Sequence, residues 1–115
     1  MPSTNFISLQ TARDMTTTFR SQKEAVLKTS LQNKGILPIC ETYGRAAFDT
    51  ILAVSGCQKV RIYFSMDADY KVKAVIVGVN SNDEDILPSG GEDRIIEDGQ
   101  RCPDFCPPPS PLNGF

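Results

Sequence analysis

Histidine is absent from the 115 residues of this chain. That removes the usual general base near neutral pH and the commonest metal ligand. Ser-His-Asp and Cys-His nucleophile pairings within the chain are excluded with it. A dominant charge is also missing, because Lys plus Arg is 12 against 14 for Asp plus Glu, a formal net charge of −2. Such near-balance argues against a general nucleic-acid binder. No apolar run approaches the roughly 18–20 residues that a membrane helix needs. The start Met1-Pro2-Ser3-Thr4-Asn5 lacks the pattern of a signal peptide. The expectation is one soluble cytoplasmic domain, with no cofactor, no membrane and no specific nucleic acid among its partners.

What is present divides near Pro88. The apolar residues concentrate in 1–87, while 88–115 holds six of the eight prolines and four of the eight glycines. Acidic residues Glu92, Asp93, Glu97, Asp98 and Asp104 outnumber Arg94 and Arg101 there. A segment this poor in apolar area cannot offset its own ordering entropy. We therefore expect a single α+β domain over 1–87, followed by a Gly/Pro-rich acidic tail over 88–115 that is docked or disordered. The body supports only a modest core, so self-association as a homodimer is a reasonable supplement.

The periodicities define the elements. Ser8 is a candidate N-cap, followed at helical spacing by Leu9, Ala12, Met15 or Thr16, and Phe19. Ser21 and Glu24 have the spacing of a capping box, so residues 8–29 read as two short helices or one bent helix. Ile36-Leu37-Pro38-Ile39 reads as an extended approach. Ala47, Phe48, Ile51 and Leu52 form an apolar stripe on a helix at about 44–55, closed by Gly56. Over Lys59–Met66, Val60, Ile62, Phe64 and Met66 alternate with Lys59, Arg61, Tyr63 and Ser65, which marks a strand with one buried face. Lys71–Val79 is apolar on both sides and reads as a central or covered strand. Ile36–Ile39 or Ile95-Ile96 could pair at an edge. The result is N-terminal helices packed on a small antiparallel sheet centred on a long hairpin, about 59–66 and 71–79, with an irregular Pro-rich tail. Its inner side is expected to be sealed by the helix around Phe48.

The order of ILPICET, an AAFDTIL helix, a VRIYFSMDADYKVKAVIVGV hairpin and a closing RCPDFCPPPSPLN resembles a family of small, uncharacterised Bacteroidetes-type bacterial proteins with a C-terminal Cys/Pro-rich tail. The resemblance runs from about Phe6 to Asn113. It implies a compact bacterial domain and transfers no functional residue, since the family carries no assigned activity.

Four cysteines invite a zinc site or two disulfides. Cys40 and Cys57 flank the 44–55 helix, whose ends lie about 18 Å apart, so they could share a bridge or a metal only if residues 40–43 folded back along the helix. Cys102 and Cys106 are close enough to pair or to hold one edge of a metal, although C-x3-C is not the C-x2-C of zinc ribbons and redox sites. The reading preferred for all four is structural or incidental thiols. Pro107-Pro108-Pro109-Ser110-Pro111 contains P-x-x-P at 108–111 and suits a polyproline helix. Phe105, Pro108, Pro109, Pro111 and Leu112 are thus candidate partner-binding residues. The preferred alternative has the tail lie on its own domain, anchored by Phe105, Leu112 and Phe115. Asn80–Asp85, Asp67 and Asp69 are oxygen-rich but fit solvated hairpin tips better than a cation site. Ser89-Gly90-Gly91 lacks the context of a phosphate loop. Lys59, Arg61, Lys71 and Lys73 around Tyr63 could make a nucleic-acid platform, but strand lysines more often block edge pairing.

Two functional classes remain. The preferred one is a small noncatalytic protein-interaction or regulatory domain. The alternative is a thiol- or metal-dependent activity centred on Cys102 and Cys106.

Overall fold

The computed structural model describes residues 5–114. The Met1–Thr4 portion of the signal-peptide reading and the Phe115 anchor lie outside them. The class is α+β. Helix α1 spans Leu9–Gln22 and helix α2 spans Arg45–Leu52, with a 3-10 turn at Thr29–Leu31. The strands are β1 (Cys40–Thr42), β2 (Lys59–Met66), β3 (Val72–Val79), β4 (Ile95–Ile96) and β5 (Gln100–Cys102). They form two antiparallel sheets among the described residues, one in the order β2-β3-β4 and a smaller one pairing β1 with β5.

The hairpin forms as its alternation requires. Lys59 pairs with Val79, Ile62 with Ile76 and Met66 with Val72. At the connecting turn, the Asp67 carboxylate accepts from the backbone N–H groups of Asp69 and Lys71 at 2.9 and 3.0 Å. Strand β3 is central, and Ile95-Ile96 pairs along its far edge. The extended 36–39 approach also joins the fold. Ile36 accepts from the Val72 N–H, and the Ile39 N–H donates to Cys102.

Ser8 caps α1 by accepting from the Thr11 N–H at 3.0 Å. The capping box does not form. Ser21 donates back to the Thr18 carbonyl, while Glu24 accepts from the Asn33 N–H and pairs with Lys23. The Glu24 carboxyl lies below its usual range, first because of Lys23 and then because of Asn33. Glu24 thus fastens the chain after the helix instead of starting a second one, and α1 ends at Gln22.

The core sits between α2 and the β3–β4 half of the larger sheet. Ile51, Ile76 and Ile96 are buried together, flanked by Tyr43, Ala47, Phe48 and Ala74. Tyr43 and Phe48 meet edge to face at 6.1 Å. Gly78 is required here, since a Cβ would stand 2.8 Å from Cys57 Sγ.

One expectation is overturned. The helix around Phe48 packs on β3 and β4 and leaves the apolar side of β2 uncovered. Ile62 and Phe64 remain 54% and 80% exposed, and Val60 and Met66 are exposed beside them. The strand pattern holds, but its apolar side faces outward, because α2 lies over the β3–β4 side of the sheet and one helix, about 10 Å across, covers only about two strands. Nor does α1 supply the cover. Leu9, Met15 and Phe19 are exposed, and none of its residues is buried.

Candidate interaction surface

β2 and β3 present two chemically different faces. On one, Lys59, Arg61 and Tyr63 reach across Val79 and Val77 toward the loop beyond β3. Lys59 Nζ and Arg61 Nη2 each lie 2.8 Å from Asp83, and Arg61 Nη1 lies 2.6 Å from Asp85. Tyr63 donates its hydroxyl to Asp85 at 2.5 Å. The Asp83 carboxyl is lowered chiefly by Lys59, and that of Asp85 chiefly by the Tyr63 hydrogen bond. This lattice closes over Val77 and Val79, which are 2% and 1% exposed. It also consumes the charge of Lys59 and Arg61, while Lys73 faces Asp67 at 3.6 Å. Lys59, Arg61 and Lys73 are thus paired with carboxylates, which reduces the free positive charge that stacking on single strands requires.

The opposite face is apolar and open. Phe19, Leu37, Pro38, Tyr43, Ile62 and Phe64 line a groove of about 410 Å³. Each lining element has a local reason to be there. Pro38 keeps Leu37 extended, alternation turns Ile62 and Phe64 to one side, and helical spacing brings Phe19 to the rim. Glu41 and Tyr43, which also line the groove, belong to a buried polar knot. Arg101 donates from Nη1 to the Gly35 carbonyl at 2.9 Å, and from Nη2 to the Ile36 and Val72 carbonyls at 2.8 Å. Its Nε stands 3.6 Å from Glu41. The Glu41 carboxylate accepts the Tyr43 hydroxyl and, at 3.3 Å, the Ala74 N–H. Burial, and then that hydrogen bond to Glu41, push the Tyr43 phenol well above its ordinary value.

The residues singled out in the sequence fall elsewhere. Cys102 and Cys106 form a disulfide, with Cα atoms 4.5 Å apart, while Cys40 and Cys57 are free. Neither disulfide sulfur is a thiolate in this state, so neither is a metal ligand. Among the described residues no group of three or more Cys, Asp or Glu converges as a metal site. Phe105, Pro108, Pro109, Pro111 and Leu112 are all exposed, so Phe105 and Leu112 do not anchor the tail. Its anchors are Arg101, Cys102 and Asn113, which are buried. The Asn113 amide donates to the Pro108 carbonyl at 2.9 Å, and its oxygen accepts from the Ser110 N–H at 3.0 Å. The tail is tied to α1 where Arg20 donates to the Leu112 carbonyl at 2.6 Å.

The remaining candidates are satisfied internally. The Asn80 side chain accepts from the N–H groups of Asn82 and Glu84, which makes the acidic stretch a self-bonded turn. The N–H groups of Ser89 and Gly90 hold the Glu92 carboxylate at 2.9 and 2.8 Å. They lower its pKa from 4.5 to about 2, with Gly90 the leading cause. No helix among the described residues is long and apolar enough to cross a membrane.

Fold and surface together define a small α+β domain with one open apolar groove beside a buried ionic knot. No family model, no curated protein and no solved structure matches the chain.

Proposed function

We propose that this chain is a noncatalytic protein-interaction domain whose working surface is the groove bounded by α1 and β2. The observation that carries the reading is Phe64. It stands 80% exposed on a strand whose alternation is built for one covered face. Contiguous exposed apolar surface of this kind marks an interaction site in soluble proteins. The polar groups nearby support the same reading. Arg101, Glu41 and Tyr43 spend their hydrogen bonds on one another and on the backbone, which suits a scaffold better than a reaction centre.

The alternative, a thiol-dependent activity at Cys102 and Cys106, has weaker support. Cys102 is fully buried, so an attacking thiolate reaches only Cys106. The bond suits a staple that holds β5. In a reducing cytoplasm, the compartment we propose, it opens, and the three Arg101 hydrogen bonds still hold that strand.

The test compares partner capture from the source organism by wild-type protein, a Phe64→Lys variant and a Pro108→Ala/Pro111→Ala variant. Loss of captured proteins with Phe64→Lys alone supports the groove. Loss with the proline variant alone transfers recognition to the tail. Equal capture by all three sinks the reading. A truncation after residue 100 is unsuitable, because it deletes Arg101 and Cys102 from the fold.

A further inference from the structure

We propose that the partner seated on this groove is a second copy of the same chain, in a twofold pair where α1 of each copy covers the Ile62–Phe64 strip of the other. The proposal rests on the interaction reading above and names its partner.

Surface area carries the argument. A compact monomer of 12.6 kDa should expose about 6,200 Å². This chain exposes 8042 Å², a surplus of roughly 1,800 Å². Its radius of gyration is 16.2 Å, against about 13 Å for a compact chain of this length. A standard protein–protein contact covers about 800 Å² on each partner. Covering less than half of that surplus would equal a contact of standard size.

Complementary deficits decide which copy-to-copy contact forms. Helix α1 has 14 residues and buries none of them. A helix of that length is marginal in water unless an apolar side packs against something. Met15 and Leu9 are 62% and 59% exposed. Strand β2 lacks a cover and, among the described residues, has no strand on its outer edge. One chain therefore supplies a helix whose Leu9 and Met15 lack cover and, beyond the rim that its own Phe19 forms, an Ile62–Phe64 strip that lacks cover too. Exchange between two copies satisfies both with the same residues used twice, as an isologous interface requires. A net charge of −2 leaves little repulsion to oppose it.

The test is sedimentation of the full chain across roughly 1–200 μM, for wild type and for Phe64→Lys, Met15→Lys and Phe105→Lys. Far-UV circular dichroism confirms folding, and an apolar dye reports open groove. All three replaced side chains are largely exposed, so the folds should survive. Wild type should sediment as a dimer. Phe64→Lys and Met15→Lys should each weaken association at least tenfold, and Phe105→Lys should leave it unchanged. A dimer that survives Met15→Lys but not Phe64→Lys overturns the α1 exchange. A wild-type monomer throughout, whose dye binding is lost in Phe64→Lys, overturns the dimer and leaves the groove to another partner. A dimer indifferent to both substitutions overturns this proposal, and dye binding that is also unchanged in Phe64→Lys overturns the interaction reading with it.

Discussion

Arg101 and Glu41 face each other across the β1–β5 pair, and both side chains are almost wholly withdrawn from solvent. Arg101 Nε has no hydrogen bond and relies on the Glu41 carboxylate 3.6 Å away. Removing one member of a buried pair leaves the other uncompensated, which is more damaging than the pair's net worth. Glu41→Gln keeps an acceptor for Tyr43 and Ala74 but strands the guanidinium charge. We expect a loss of about 3 kcal/mol in urea unfolding. In a double-mutant cycle with Arg101→Met, the second change should cost much less in the Glu41→Gln background than in wild type. Additive losses would show that the two act independently.

The Cys102–Cys106 disulfide closes a loop of sequence separation 4. Chain-entropy arguments for so short a loop give about 2 kcal/mol. Cys106→Ser should lower stability by about that amount under nonreducing conditions. Reductant should bring wild type down to the variant. If wild type melts identically with and without reductant, the bond is not stabilising the fold.

The hairpin was legible in the sequence because alternation is a local property of the strand, with the second strand starting at Val72, one residue later than expected. Lys59–Met66 matches the observed strand end to end, and β3 is central as its two apolar sides require. What covers a strand is not local. The Val60–Met66 pattern states that one face wants burial without saying by what, and α2 packs on β3 and β4 instead. The Arg101 knot was hidden for the same reason. An arginine in a Pro-rich acidic segment reads as solvated, and only the register that sets Glu41 against Arg101 reveals its burial. Cys102 and Cys106 were visible as a close pair, but spacing alone left pairing and metal edge open. The groove's best sequence signal was the cluster of Phe19, Ile62 and Phe64 on elements too few to cover one another.

Acid should unfold the protein in a defined window. The Glu92 carboxyl is held at about 2 against an ordinary 4.5, and those of Asp83, Asp85 and Asp67 lie below their ordinary 3.8. The unfolded chain therefore binds more protons than the folded one below about pH 4.5, and stability falls as pH drops toward 2. With no histidine to titrate, the melting temperature should stay level between about pH 5 and 7.5. A step inside that plateau would contradict the assignment.

Tyr70 adopts a left-handed backbone with φ 66° at the β2–β3 turn. Side chains other than glycine, asparagine and aspartate pay about 1–2 kcal/mol there. Its ring is exposed, so Tyr70→Asn should raise stability by up to about 1 kcal/mol in thermal or urea unfolding. A loss instead would mean the ring holds a contact worth more than the strain.

Hydrogen exchange followed as a function of protein concentration tests the covered-groove account most directly. Amides of α1 and β2 should exchange rapidly in dilute protein and slow by at least tenfold as concentration rises, while those of β3 stay protected throughout. Exchange in α1 and β2 that is the same at every concentration would contradict it.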